Sequence, residues 1–304
     1  MKKVSVILTT YNSENQLQKV INSINNQEGK GKLFEIELLV IDDCSKDNTK
    51  SILLDNKVNF QITNKNTGGP NHGRNLALKQ CTGDFICIAD HDDIWFSDRI
   101  KSLLQVSHLA PIITSGYILS DSSSSKETSR VSKPIDENSY LIYEKNETFL
   151  SKLTKSNIGQ QTYLGSIMFS AKLKHILFEE EFGMIDFDWV LKLFYNQVSV
   201  EVCSALYLRK VEGANLSLNE QYRINDYHYS LKTIMKYNEK YSNSVKRSEK
   251  RINGSMGRYY YLVGEMKFAR KYFLKSGVNL ITIFYLITTF VGHKFVRKHF
   301  NIFG

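Results

Sequence analysis

Residues 83–95 read GDFICIADHDDIW and contain the clearest pattern in the chain. Phe85–Ala89 is a short apolar run bounded by polar residues, which is typical of a strand buried on both faces. Asp90–Asp93 follows directly and supplies three carboxylates and one imidazole. A buried strand that ends in a polar cluster is expected at the carboxyl edge of a parallel sheet, where ligands bind.

Apolar runs of this kind alternate with helical patterns from residue 4 to residue 89. The other predicted strands are Val4–Leu8, Ile36–Ile41 and Val58–Ile62, and the predicted helices are residues 17–24, Thr49–Leu54 and Asn71–Gln80. Strands that alternate with helices predict a mostly parallel sheet with helices on both faces. The predicted fold class is therefore α/β.

Polar residues also follow the other predicted strands. The first strand ends in Thr9–Asn12, the second ends in Asp42-Asp43, and the loop Asn66–Asn75 leads into the third helix. Together with the aspartates of residues 90–93, five carboxylates lie at two neighbouring strand ends and repel one another unless a cation or hydrogen-bond donors compensate them. A divalent cation that prefers oxygen ligands, Mg²⁺ or Mn²⁺, is the simplest explanation.

The spacing of Asp90 and Asp92 suits such an ion. In an extended segment alternate side chains point the same way, so both carboxylates can face one ion, or one ion and a sugar. An isolated D-x-D is common by chance, and its carboxylates are often solvated or cap a helix. The strand before it and the other polar strand ends favour a binding site.

Five segments resemble, in order, the motifs of family 2 glycosyltransferases of the GT-A fold. They are VSVILTTYN (4–12), LVIDDCSKD (39–47), NTGGPNHGRN (66–75), GDFICIADHDDIW (83–95) and DFDWVLKL (186–193). The resemblance covers roughly residues 1–217. It implies an inverting hexosyl, hexosaminyl or rhamnosyl transfer from a nucleotide diphosphate donor to a hydroxyl acceptor. It also implies a role in bacterial surface polysaccharide or lipopolysaccharide synthesis.

The resemblance also assigns residues to the donor. It implies that the base of the nucleotide lies against Thr9, Tyr11 and the carboxylate of Asp42. It implies further that Asp90 lies near the ribose and that Asp92 binds the Mn²⁺ or Mg²⁺ ion.

Arg74 would approach the same donor from the start of the third helix. A guanidinium and a helix N-terminus both favour phosphate. The alternative is an ion pair between Arg74 and a carboxylate of these loops.

Inverting transfer needs a base that takes the proton of the acceptor, while a metal stabilises the charge on the leaving diphosphate. Asp186 is the candidate for that base. The family usually has Glu-Asp here, whereas this chain has Ile185 before Asp186. Asp188 is therefore a rival, with a helix N-cap as its alternative role.

A second departure lies in the segment 208–217, which reads LRKVEGANLS. Many relatives have histidine two residues after the arginine, whereas this chain has Val211. No histidine can complete the metal shell at that position, so Asp92, diphosphate oxygens and water would have to suffice.

The predicted organisation has three parts. Residues 1–110 form the nucleotide-sugar half of the GT-A domain, residues 111–217 form the acceptor half, and residues 218–304 form a helical C-terminal extension. Within the acceptor half, the charged and serine-rich residues 121–134 predict a mobile loop. Residues 160–169 resemble the strand that runs beneath the acceptor in the family.

The charge of the chain is concentrated near its C-terminus. The net charge of the chain is +9. Residues 246–304 hold 12 basic and 2 acidic residues and carry +10, whereas residues 1–245 carry −1. The apolar segment 277–292 has 16 residues, fewer than the roughly 20 needed to span a bilayer. A basic, shallowly inserted element attracted to anionic lipid and to a lipid-linked acceptor fits this pattern. The alternative is a helix packed on its own domain or on a dimer partner.

The remaining features narrow the possible functions. The composition, 42% hydrophobic and 23% charged, is that of a globular protein. The four cysteines form no C-x-x-C pair, and Val4–Leu8 is too short for a signal peptide, so we expect a cytoplasmic location. Nucleic acid is not an expected partner because no recognised motif accompanies the basic charge. The alternatives to transfer are a nucleotide-sugar-binding protein without turnover and a nucleotidyltransferase.

Overall fold

The computed structural model describes residues 1–121, 126–134, 139–156, 158–211, 219–277 and 280–290. The chain divides into two compact units. The first comprises Met1–Phe149 and Ile158–Gly213, and the second comprises Leu150–Asn157 and Ala214–Gly304.

The first unit is built on one sheet, which has ten strands in the part of the chain described. The strands are β1 (Lys2–Thr10), β2 (Phe34–Asp42), β3 (Asn59–Ile62), β4 (Phe85–Ala89), β5 (Ile94–Trp95), β6 (Ile112–Asp121), β7 (Lys126–Arg130), β8 (Tyr140–Tyr143), β9 (Met168–Ser170) and β10 (Ser199–Val211). Their order is β3-β2-β1-β4-β9-β6-β10-β5, with β7 paired to β6 and β8 paired to β10. The helices among them are α1 (Leu17–Asn25), α2 (Thr49–Asp55), α3 (Pro70–Gln80), α4 (Arg99–Gln105), α5 (Glu147–Leu153) and α6 (Phe187–Phe194).

The first four strands confirm the predicted α/β pattern. β1 lies between β2 and β4 and is parallel to both, with Thr10 opposite Asp42 and Leu8 opposite Ala89. The chain therefore runs outward from β1 through β2 to β3 and then returns to the other side of β1. The carboxyl ends of β1, β2 and β4 meet at this reversal, which is where α/β sheets bind ligands.

Helices cover both faces of this part of the sheet. Val4, Val6 and Leu8 of β1 are fully buried and belong to one core cluster with the apolar face of α1. On the other face α3 comes close, because a side chain at Gly73 would lie 3.1 Å from Thr9 and 3.2 Å from Ile41. Burial on both faces explains why β1 reads as an almost continuous apolar run.

The second half of the sheet is mixed. β9 is antiparallel to both β4 and β6, and β5 is antiparallel to β10, whereas β10 is parallel to β6. Parallel pairing is thus concentrated in β3-β2-β1-β4 and in the β6–β10 pair. The predicted α/β sheet is confirmed, and beyond β4 it also contains antiparallel pairs.

Two local predictions for residues 121–169 were wrong. Residues 126–130 of the predicted mobile loop form β7. Main-chain pairing with β6 holds this strand in place, although its residues are polar and bury little side-chain surface. Residues 122–125 and 135–138 lie outside the described residues. In the predicted strand 160–169 only Met168 and Phe169 are extended in β9, and Leu164–Ser166 forms a 3-10 turn.

At the start of residues 160–169, side-chain hydrogen bonds take the place of the main-chain pairing that a strand would make. The buried Gln160 donates to Thr114 Oγ1 at 2.9 Å and accepts from Ser199 Oγ at 2.6 Å. The buried carboxylate of Glu201 accepts from the main-chain N–H of Gln161 at 3.2 Å. These bonds fix an irregular segment against β6 and β10.

The second unit confirms the helical C-terminal extension. Its helices are α7 (Glu220–Met235), α8 (Asn238–Leu262), α9 (Met266–Lys275) and α10 (Leu280–Thr288). Its core is aromatic, since the Tyr285 ring lies 5.2 Å from the rings of both Tyr261 and Phe273. Of the predicted apolar segment 277–292, residues 278–279 and 291–292 lie outside the described residues. No described helix combines the length and the hydropathy that crossing a membrane requires.

Candidate active site

The ends of β1 and β2 are joined through the carboxylate of Asp42. Asp42 is buried and accepts hydrogen bonds from Thr10 Oγ1 at 2.8 Å, from Ser45 Oγ at 2.6 Å and from the Ser45 N–H at 3.0 Å. Three of its roughly four acceptor positions are therefore occupied. Asp42 lies at the expected strand end, but its carboxylate shapes the loop that follows β2.

Thr9 and Tyr11 are placed differently from each other. Thr9 is buried, whereas the side chain of Tyr11 is 43% exposed. The main-chain N–H of Tyr11 donates to Ser13 Oγ at 3.2 Å, which holds the backbone of this turn. Of the three residues expected against a nucleotide base, Tyr11 therefore offers the accessible surface.

Arg74 makes the ion pair that the sequence left as an alternative to donor binding. Its side chain is only 6% exposed, and Nη2 donates to Asp90 Oδ1 at 2.9 Å. Nη1 donates to Asn71 Oδ1 at 3.0 Å, and the guanidinium lies 5.3 Å from the centre of the Phe178 ring. Arg74 thus connects α3 to the end of β4 and fixes the position of Asp90.

The segment 90–93 carries more negative charge than its own donors compensate. Burial and the neighbouring Asp90 raise the pKa of Asp92. Asp93 is buried, and that burial, together with Asp90 and Asp92, raises the pKa of its carboxyl well above the ordinary value. A positive charge at this point would therefore be stabilised.

The donor set fits a divalent ion that arrives with a substrate. In the described ranges of the chain, no three His, Cys, Asp or Glu side chains are grouped so that they could hold a metal ion. Mg²⁺ and related ions, however, are commonly bound through one or two carboxylates, with substrate phosphates and waters as the other ligands. Asp92 and Asp90 can supply that share.

Arg209 faces this acidic segment, although the sequence analysis assigned it no role. Tyr207 pairs with Trp95 and Leu208 with Ile94, so the next residue of β10, Arg209, follows Leu208 at the end of β5 that adjoins Asp93. Its positive charge lowers the pKa of Asp93 and of Asp92, against the larger effect of burial. Its guanidinium stacks 4.3 Å from the ring of Tyr163, a ring that is itself partly exposed.

A second arginine supports the site from within the core. Arg99 is fully buried, with its guanidinium 4.7 Å from the ring of Trp95 and 5.2 Å from that of Tyr207. Nη2 donates to the carbonyl of Gly165 at 2.5 Å, and Nη1 donates to Ser115 Oγ at 3.2 Å. Trp95 is therefore a packing residue, and Arg99 holds the 3-10 turn after Tyr163.

Helix α3 also fixes the segment that precedes Asp186. Asn71 Nδ2 donates to the carbonyls of Glu179 at 2.9 Å and Ile185 at 3.0 Å. Asn75 exchanges hydrogen bonds of 2.9 Å with both main-chain groups of Phe178. These two asparagines lie in the quoted motif 66–75. Because their hydrogen-bond partners are about 100 residues away, the sequence did not reveal these contacts.

Two glycines allow this approach. The N–H of Asn71 donates to the carbonyl of Gly183 at 3.1 Å, and a side chain at Gly69 would collide with that same carbonyl. Gly183 itself has a φ of +74°, in the left-handed region that favours glycine. The start of α3 and the turn before Asp186 are therefore in direct main-chain contact.

Asp186 and Asp188 have distinct environments. Asp186, not Asp188, occupies the N-cap position of α6, and its side chain makes no capping hydrogen bond. Asp186 is partly exposed. Asp188 is buried in the first turn and forms an ion pair with Lys192 Nζ at 2.5 Å. The N-cap role expected for Asp188 was therefore wrong, because the helix begins one residue after Asp186.

The comparison with protein families gives one match. The model described as Glycosyl transferase family 2 matches residues 5–175. This range includes β1 to β4, the acidic segment 90–93 and β9.

Curated relatives match about a third of the chain. The poly(ribitol-phosphate) beta-N-acetylglucosaminyltransferase TarS of Staphylococcus aureus is 40% identical over 105 residues, which is 33% of this chain and 18% of TarS. The GalNAc(5)-diNAcBac-PP-undecaprenol beta-1,3-glucosyltransferase of Campylobacter jejuni is 36% identical over 110 residues, which is 34% of each protein. The matches thus span a fifth to a third of these relatives.

Solved structures match almost the whole chain. Residues 1–349 of S. aureus TarS in complex with UDP-GlcNAc align with a TM-score of 0.58 and 19% identity, over 97% of this chain and 92% of that one. The mannosyltransferase PcManGT of Pyrobaculum calidifontis, in complex with GDP-Man and Mn²⁺, aligns with a TM-score of 0.56 and 15% identity, over 95% and 79% of the two chains. At these identities the likeness concerns the fold.

Asn71→Ala tests how strongly α3 holds the segment before Asp186. The substitution leaves the buried carbonyl of Ile185 and the part-buried carbonyl of Glu179 without their donor, so we expect the free energy of unfolding to fall by about 1–3 kcal/mol. Urea denaturation measures this, and hydrogen exchange of residues 178–185 should become faster. Asn22→Ala, at an exposed helical asparagine, is the matched control and should change neither quantity. Equal results for the two variants would contradict this role.

Proposed function

The chain belongs to glycosyl transferase family 2, and on that premise we propose that it transfers a sugar from a nucleoside diphosphate to a hydroxyl group of an acceptor, with inversion at the anomeric carbon. The observation that carries this proposal is the meeting of three polar strand ends at the reversal of the sheet. There an exposed aromatic ring, a cluster of carboxylates and two arginines lie around the position where ligands of α/β sheets bind.

On the donor side, we assign the base of the nucleotide to the exposed ring of Tyr11, which offers a flat apolar face. Thr9 and the buried Asp42 shape the wall and the turn behind it. Asp90 is assigned to the ribose, because Arg74 holds its carboxylate in place while the carboxylate stays partly exposed. Arg74 then acts through Asp90 and need not contact the donor itself.

The diphosphate is assigned to the side of the site that carries Asp92 and Arg209. Asp92 would hold a Mn²⁺ or Mg²⁺ ion, which when bound stabilises the negative charge that develops on the leaving diphosphate. The guanidinium of Arg209 adds a second, fixed positive charge nearby. This supports the proposal because, without a histidine at position 211 to help hold the ion, a fixed cation can share in neutralising the diphosphate.

Asp186 is assigned as the general base. The acceptor oxygen forms a bond to the anomeric carbon as the bond from that carbon to the diphosphate breaks, and the proton of the acceptor hydroxyl passes to the carboxylate of Asp186. Asp186 lies at the N-terminus of α6 and is partly exposed, so its carboxylate can be reached by a hydroxyl group of the acceptor. Asp188 is a weaker candidate, because it is buried against Lys192.

For the acceptor, we propose a saccharide or a lipid-linked saccharide of bacterial surface polysaccharide synthesis, with the protein in the cytoplasm. The support is the activities of relatives, which are named for poly(ribitol-phosphate) and for undecaprenol-linked saccharides. Since those relatives are much longer than their matched regions, the acceptor remains a proposal for this chain.

The metal role of Asp92 is tested by nucleoside diphosphate binding. In the parent protein, the affinity for UDP or GDP, whichever binds, should be higher with Mn²⁺ present than with a chelator present. Asp92→Asn should lose about 10-fold or more of that enhancement, a change of roughly 1.4 kcal/mol. Isothermal titration calorimetry measures both, with Asp98→Asn as an exposed control on the same segment. Equal metal enhancement in all three proteins would remove the assigned role.

The general base is tested by Asp186→Asn, which keeps the side-chain size. Turnover should fall by about 10² to 10⁴, the usual worth of general base catalysis, while donor affinity is retained. Asp188→Asn should affect turnover much less and should mainly lower the melting temperature. The reverse ranking would move the base to Asp188. Donor binding without turnover in the parent protein would favour a nucleotide-sugar-binding protein.

The role of Arg209 is tested by two substitutions that separate the effect of its positive charge from the effect of its planar guanidinium. Arg209→Gln removes the positive charge near the leaving group and should lower kcat/KM by about 10² to 10³, as loss of one preorganised donor does. Arg209→Lys should recover part of the loss, because it keeps the charge but not the planar fork. Lys210→Gln is the matched control, since the neighbouring lysine donates to Gln16 Oε1 at 3.2 Å instead. Equal losses in the two glutamine variants would contradict the assignment.

A further inference from the structure

Helix α10 presents an apolar face that no described residue covers. Its exposed residues are Leu280, Ile283, Ile287 and Phe290, the last just beyond the end of the helix. This spacing of three, four and three residues places them on one side of the helix. Tyr285 and Thr288 on the other side are buried. We call the four exposed residues the α10 stripe.

One basic residue of α9, Arg270, contacts the stripe. The guanidinium of Arg270 lies 4.8 Å from the centre of the Phe290 ring, and its Nη1 donates to the carbonyl of Thr289 at 3.3 Å. Lys267, Lys271 and the apolar Leu274 are exposed on the same helix. Apolar side chains and positive charges therefore share one surface, the α9–α10 surface.

The length of α10 sets how such a surface can meet a membrane. Nine residues of helix extend for about 14 Å, roughly half the thickness of the hydrocarbon core of a bilayer. The helix can lie in the interface with its apolar side down, but it cannot cross. Helices that lie in this way have an apolar face bordered by Lys and Arg.

From these observations we propose that the α9–α10 surface binds the interface of an anionic lipid bilayer. The α10 stripe inserts its apolar side chains, and Lys267, Arg270 and Lys271 face the lipid phosphates. A second copy of the chain is a poorer occupant, because a symmetric contact would bring the same basic residues of two subunits together. The surface binds lipid whether or not the first unit transfers a sugar, so its test needs no activity.

The experiment is cosedimentation of the full chain with vesicles of phosphatidylglycerol and phosphatidylcholine, compared with phosphatidylcholine alone. We expect the parent protein to bind the anionic vesicles and to be partly released by high salt. Ile283→Gln/Ile287→Gln should weaken the partition to anionic vesicles by at least about 10-fold, since both buried apolar contacts with lipid are lost. Leu33→Gln/Leu54→Gln is the matched control, because these leucines are 58% and 57% exposed, similar to Ile287 at 61%.

The charges are tested separately. Lys267→Gln/Lys271→Gln should weaken binding to anionic vesicles and reduce its dependence on salt, while Lys19→Gln/Lys50→Gln, which changes two exposed lysines elsewhere, should not. All the substituted side chains are exposed, so thermal unfolding of every variant should match the parent protein.

Several results would overturn the proposal. These are no binding of the parent protein to anionic vesicles, equal losses in the stripe variant and its control, or a parent dimer that the stripe variant dissociates in sedimentation equilibrium. The last result would assign the surface to a second copy. Binding of UDP or GDP, measured on the same samples, reports on the first unit alone, so failure of this proposal is distinguishable from failure of the proposed transfer reaction.

Discussion

Strand β1 is hydrogen-bonded to β2 along one side and to β4 along the other, and the features of the first unit depend on that placement. The two neighbours are separated by more than 40 residues of chain, which must run out to β3 and return through α3. Because all three strands point the same way, Thr10, Asp42 and Asp90 are delivered to one edge. The acidic segment follows β4 at that edge, and Tyr11 follows β1 there.

Electrostatic compensation at that edge comes from arginines that reach it from different elements. Arg74 on α3 pairs with Asp90, Arg209 on β10 faces Asp92 and Asp93, and Arg99 lies buried beneath them. Each guanidinium is also placed against an aromatic ring, which fixes its plane. Fixed positive charges of this kind lower the cost of gathering carboxylates, and they leave Asp92 suited to an ion that enters with a diphosphate.

The same helix that positions Asp90 also positions Asp186. Through Asn71 and Asn75, α3 holds the main chain of residues 178–185. The assigned base and the assigned ribose contact thus share one rigid support, which favours a constant distance between acceptor and donor. The second unit has a different kind of core, in which tyrosine and phenylalanine rings pack among helices and leave an apolar stripe uncovered.

The sequence by itself determined the strands and helices of residues 2–89, because the apolar repeat that defines each of them is local. It also determined that the polar residues follow those strands, and hence where a site would form. Only the tertiary structure decided which way each side chain faces. Asp42 turns inward because Ser45 and Thr10 reach it, and Asp186 occupies the N-cap position of α6 because the helix begins one residue later. Arg209 meets the acidic segment because β10 pairs with β5 across more than 100 residues of chain. Contacts between such distant residues depend on strand register and on loop geometry, neither of which a local pattern of apolar and polar residues specifies.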